Sequence, residues 1–190
     1  MRPALGLPLA MFAPLLLGAA SPSYRYQIDA ARSEVSAKVG FFGIASKTAR
    51  FPQLRGRIAL SPQRLDTIDL DVEIDARRLT AGDPVTLARL KGKDFFDVEH
   101  YPTVRFSGQR MQMTGPVTAT VAGTVTARGV TRPATLTVAF RDPPAKATGR
   151  DPVELSARTV IDRRDFGMTA YSAIVGRKVA ITINARMTPG

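Results

Sequence analysis

Between Ile68 and Asp75 the chain reads Ile-Asp-Leu-Asp-Val-Glu-Ile-Asp. Side chains alternate across a strand with period two. Ile68, Leu70, Val72 and Ile74 therefore share one face, and Asp69, Asp71, Glu73 and Asp75 the other. Aliphatic inside and acid outside is the pattern of an antiparallel strand with one wet face. Spread along a pleat, the four carboxylates span too far to share one metal ion, and solvation is their expected role.

The same period recurs along the chain. Tyr24 to Ile28 is a first strand, and Val35, Ala37, Val39 and Phe41 alternate with Ser36, Lys38 and Gly40. Lys47 to Leu60 reads as one strand bent near Pro52 and Gly56. Thr103 to Met113 places Val104 and Phe106 on one side, and Val117 to Ala127 alternates small apolar residues with threonines. Leu136 to Phe140, Ala157 to Ile161 and Val179 to Ala185 complete the set. One helix interrupts it: Asp83 is an N-cap with Pro84 at the first helical position, predicting a short helix near residues 84–92. Beyond it, Phe95-Phe96 forms an aromatic plug, and Pro102 pushes Tyr101 into an extended conformation that starts the next strand.

The fold class is all-β, with about eight antiparallel strands and one short helix. Such strands build a sandwich or a closed barrel. Ala37, Gly123, Ala127, Ala157 and Thr159 are small at inward positions and would underfill a sandwich core. In a barrel of about eight strands the same shortage leaves room for one elongated ligand.

Length suits a single domain. Residues 1–20 read as a cleaved signal peptide, with Arg2, an apolar Leu5–Leu17 run and the small Gly18-Ala19-Ala20, leaving 21–190 as the mature barrel. The chain has no cysteine, which excludes disulfides and the anchor of a bacterial lipoprotein. With 27 basic and 16 acidic residues the net charge is +11. The basic residues are scattered without a Lys/Arg block or stacking aromatics, which argues against nucleic acid and leaves contact with an anionic membrane surface open.

Three motifs in series, KGKDFFDVEHYPTVRF, GTVTARGVTRPATL (Gly123–Leu136) and IDRRDFGM (Ile161–Met168), resemble the YceI-like family. The resemblance implies a lipocalin-like antiparallel barrel, export to the bacterial periplasm, and a tunnel for polyisoprenoid or another long-chain lipid. The chain departs from the family pattern in its first long strand. Phe41 stands where the family has histidine, Ala37 replaces a phenylalanine, and Ala49 falls where glycine is common.

No catalytic set emerges. His100 is the only histidine, which with no cysteine cannot make an ordinary zinc site. No G-x-S-x-G motif is present. The Asp162-Arg163-Arg164-Asp165 run reads as an ion-pair lock. The expected lipid-binding wall is Phe41, Val72, Phe95, Phe96, Val104, Phe106, Val125, Phe140, Phe166, Met168 and Ile181, residues that a plain apolar core would also need. Phe95-Phe96 and Phe166–Met168 lie at crossovers, where they can gate a mouth. The expectation is a non-enzymatic carrier without metal or fixed cofactor, holding an isoprenoid lipid or quinone, with Arg105, Arg128 or Arg163 near its headgroup. The alternative is a stress or interaction protein with a filled barrel and a basic partner-binding surface. A homodimer is compatible with either.

Overall fold

The computed structural model describes residues 22–190, so the signal-peptide expectation lies outside the described residues. The elements run β1 (Tyr24–Ile28), β2 (Glu34–Phe41), β3 (Ala45–Phe51), β4 (Leu54–Ser61), β5 (Arg64–Asp75), β6 (Thr80–Ala81), α1 (Pro84–Lys91), β7 (Thr103–Met113), β8 (Thr118–Ala127), β9 (Val130–Phe140), β10 (Val153–Asp162) and β11 (Val175–Pro189). All pairings are antiparallel, and β1 bonds to both β4 and β11. That double pairing closes the ring β1-β4-β5-β7-β8-β9-β10-β11 into an eight-stranded barrel. Closure gives every strand of the ring a partner on both sides over at least part of its length.

The long β11 spans both halves of the wall. Met187–Pro189 pairs with β1, while Val175–Asn184 pairs with β2. Above the point where β1 ends, the β2–β3 hairpin, with the short β6 on its edge, therefore continues the wall. Among the described residues no helix is long and apolar enough to cross a membrane.

Several strands run longer than the sequence reading, among them β5, β10 and β11, and two further boundaries differ for a local reason. Lys47–Leu60 is two strands, parted at Pro52-Gln53, where proline has no amide to offer a ladder. The strand expected from Leu136 begins earlier, at Val130, and runs through Pro133. Register explains how. The Phe140 amide donates to the Val117 carbonyl, so even-numbered amides of β9 face β8 and odd-numbered ones, position 133 included, face β10. On that side β9 pairs with β10 only from Thr137 to Phe140. The missing N–H of Pro133 thus falls where the two strands have already separated.

Helix α1 forms as expected. The Asp83 carboxylate accepts from the Thr86 amide at 2.8 Å, and Gly92 closes the C-terminal turn. The acids of β5 are not merely solvated. Asp71 accepts a two-pronged bond from Arg105 on β7, Glu73 pairs with Arg55 on β4, and Asp75 pairs with Arg77.

Candidate functional site

The interior divides into a filled half and a hollow one. Around the lower ring, Tyr26, Leu60, Met111, Ala119, Val121, Val138, Phe140 and Met187 are packed without reaching solvent. In the upper half an apolar cavity of about 110 Å³ lies between β2, β7, β8, β10 and β11. Of the eleven expected wall residues, seven line this cavity: Phe96, Val104, Phe106, Val125, Phe166, Met168 and Ile181. Four lie elsewhere. Phe140 belongs to the lower core, Val72 packs beside that core against Phe106, and Phe41 and Phe95 line a separate outer pocket.

The small inward residues do different things. Ala37, Ala127 and Thr159 face the cavity. Ala157 sits in the filled half. Gly123 leaves no space at all, because a Cβ there would lie 2.2 Å from the Ser107 carbonyl oxygen and 2.7 Å from the Phe106 ring. The ring of Phe106 occupies the niche that the glycine makes. Ala37 on β2 pairs directly with Ala49 on β3, and two methyl groups side by side leave space on the cavity side at position 37.

Phe95 and Phe96 separate inside from outside. Phe96 points into the cavity and meets Phe51 edge-on at 5.6 Å. Phe95 is buried against Val125, Phe166 and Met168, and on its outer side it borders a pocket of about 280 Å³ and stacks on Tyr171 with ring centres 6.1 Å apart. Arg89 lies over the other side of Tyr171 at 4.8 Å. The helix and its aromatic plug thus form a partition beneath a mouth, held by the Lys47–Asp83 ion pair at 2.8 Å. Lys47, followed by the amide and hydroxyl of Thr86, holds the Asp83 carboxyl well below the usual carboxylate range.

The mouth is braced by Arg163, which is buried without a carboxylate partner among the described residues. Its guanidinium donates to the main-chain carbonyls of Met168, Val175 and Gly176 and lies over Phe95 at 5.8 Å. Burial lowers its pKa, and the carbonyl dipoles satisfy the charge in place of an acid. The ion-pair lock expected of the 162–165 run forms through Asp162 and reaches across to β11. Asp162 caps the turn at the Arg164 amide and pairs with Arg177 and Lys178 on β11. Its carboxyl is lowered by the Arg164 amide first and Arg177 second. Arg105 is engaged with Asp71, and Arg128 donates to the carbonyls of Gly167 and Lys93. His100, exposed, is 2.9 Å from Asp97.

What the sequence did not signal is a seam in the wall. Above Thr137 and Arg158, β9 and β10 are no longer hydrogen-bonded. An open groove of about 1000 Å³ crosses the outer face here, and Thr159 and Ile181 line both this groove and the inner cavity. Pro133 was the available clue, once its amide position is known to face β10.

Together these features define the class: a closed eight-stranded antiparallel barrel, filled below and hollow above, with an apolar interior and an aromatic partition at one end. Within that class the chain belongs to the YceI-like domain family, whose model matches residues 26–187. It is 25% identical over 167 residues to a UPF0312 protein of Pseudomonas putida strain F1, covering 87% of each. Among solved structures it resembles BcnA of Burkholderia cenocepacia (TM-score 0.74, 21% identity, 84% of this chain and 98% of that one). It also resembles a polyisoprenoid binding domain from Saccharophagus degradans (TM-score 0.65, 14% identity, 87% and 98%). A YCEI protein of Campylobacter jejuni matches at TM-score 0.61, with 20% identity over 73% and 82% of the two chains. At these identities the structural likenesses establish the fold.

Proposed function

We propose that this protein is a periplasmic, non-enzymatic binding protein that holds one long hydrocarbon chain, an isoprenoid lipid or quinone, in the upper half of its barrel. The observation that carries the reading is the apolar cavity behind the Phe95-Phe96 partition. The Saccharophagus relative, described as polyisoprenoid-binding, supports it. Hydrocarbon burial at about 0.8 kcal/mol per CH₂ supplies affinity without polar contacts.

Size sets a condition on the mechanism. A cavity of about 150 Å³ takes no more than a benzene-sized guest, and this one is smaller. A polyprenyl chain therefore needs the cavity to lengthen. Two places give way at least cost: the partition, where Phe95 and Phe96 rest on aromatic contacts, and the seam between β9 and β10, where no ladder bonds have to break. The competing reading, a filled barrel that works through its surface, draws on the same small volume.

Native mass spectrometry of the purified protein, followed by organic extraction, separates them. The carrier reading expects about one long-chain lipid per chain, as one lumen allows. It also expects a delipidated protein to take up added quinone or polyprenyl phosphate. A protein that is empty and refuses both probes would establish the filled barrel instead.

A further inference from the structure

The mouth end carries apolar side chains that the fold does not need. Ile44 is 97% exposed, Phe42 61% and Val85 63%. Phe42 and Tyr171 are both left-handed, with φ of 53° and 54°. That region suits glycine or asparagine and strains an aromatic residue. The strained residues lie together. The Phe42 amide donates to the Ile174 carbonyl at 2.8 Å, which joins the β2–β3 turn to the 171–175 turn. Phe41, Val85, Tyr171 and Ile174 then rim the outer pocket.

Charge around the rim is one-sided. Segments 37–50, 83–95 and 170–178 carry eight lysines and arginines against two acids, Asp83 and Asp94. Asp83, together with Glu34 and Asp162 nearby, is occupied in ion pairs. Lys38, Arg89, Lys91 and Lys93 have no carboxylate partner among the described residues.

We propose that this rim, with Phe42 and Ile44 at its tip, is a docking surface for an anionic lipid bilayer. A protruding turn with two apolar side chains seats itself at the boundary between headgroups and acyl chains. Tyr171 suits the headgroup level, with an apolar ring and a polar tip. The basic ring is drawn to anionic headgroups over about a Debye length. Docking in this pose sets the outer pocket and the Phe95–Tyr171 stack against the membrane, where a chain can pass from bilayer to barrel. As a delivery face the rim rests on the lipid-carrier reading, whereas docking itself is measurable on protein that carries no cargo.

The test is co-sedimentation of the purified protein with phosphatidylcholine vesicles, with and without phosphatidylglycerol, at low and high salt. The informative variant is Phe42→Asn combined with Ile44→Ser. Asparagine accepts the left-handed backbone, so the turn is retained and its strain relieved. Wild type should bind the anionic vesicles and release them in salt, and the variant should bind about tenfold more weakly with a melting temperature no lower than that of wild type. Val160→Ser, which removes an exposed apolar side chain on the outer wall, should bind as wild type does. Absence of binding to anionic vesicles, or undiminished binding by the tip variant, overturns the proposal. So does light scattering that finds a dimer which the tip variant splits, since the rim would then belong to a second copy. Lipid extraction from the same preparations tells the two readings apart: a variant that keeps its lumen lipid but no longer docks fails at the rim alone. A wild type that docks yet never holds lipid fails at the lumen alone.

Discussion

The lower and upper halves of this barrel share strands, register and hydrophobicity, yet one is solid and the other hollow. Below, β1 closes the ring between β4 and β11, and Tyr26, Leu60, Met111 and Met187 interlock across it. Above, the wall passes to the β2–β3 hairpin, the β9–β10 ladder stops, and a helix with two phenylalanines serves as the cap. The difference teaches that apolar alternation builds a wall, while ladder continuity and side-chain size at a few positions decide what the wall encloses. The filled half supplies stability, which frees the other half to give way around a ligand.

The largest expected effect contrasts the halves directly. Leu60→Ala or Met111→Ala should cost about 2–5 kcal/mol in chemical denaturation, since each leaves a void in a packed core. Val104→Ala or Ile181→Ala, beside an existing cavity, should cost less, because those side chains have fewer partners to lose. Equal losses in both halves would mean that the hollow is closed in solution.

Gly123→Ala comes next, at about 1–3 kcal/mol. The new methyl group meets the Ser107 carbonyl and displaces the Phe106 ring. Lipid uptake should fall along with stability, because the ring has only the cavity to enter.

Filling the hollow is the sharper experiment. Ala37→Phe with Ala49→Gly places a large side chain opposite a small one across β2 and β3. Stability should change little, because the added ring enters the existing cavity of about 110 Å³ rather than a packed core. Lipid retention, read by extraction, should be lost. Unchanged retention would show that the chain lies along the β9–β10 seam rather than behind the hairpin.

Acid should loosen the upper half first. Lys47 and the Thr86 groups depress Asp83, and the Arg164 amide with Arg177 depresses Asp162. Groups with lowered folded pKa values stabilise fully above their unfolded value, about 4, and lose that contribution as the pH falls through the folded values. Hydrogen exchange of α1 and the 163–175 turn should therefore speed up in acid before that of β1, which carries no such carboxylate. Lys47 and Asp83 are partly exposed and the arginine partner of Asp162 is largely so, which keeps the effect small. Uniform acceleration would argue that the cap is no weaker than the core.

The period-two pattern from Ile68 to Asp75 and its repeats determined the strands, their inward faces and the all-β class, because alternation is a local property of the pleat. The Asp83-Pro84 cap likewise set the one α-helix among the described residues, and seven of the eleven expected wall residues face the cavity. Which inward residue is spare was not local. Gly123 looked like empty space and is filled by Phe106 from the neighbouring strand, while Ala37 looks alike in sequence and does leave room. Nor could the sequence separate Phe95 from Phe96, which part to opposite sides of one partition. The Asp162–Asp165 run reads in sequence as an ion-pair lock without naming its partners, and only the fold shows its first acid paired with β11 and its buried arginine satisfied by carbonyls of the turn that follows. Alternation says which way a side chain points. Only the register and closure of the barrel decide what it meets there, since those contacts join residues far apart in the chain.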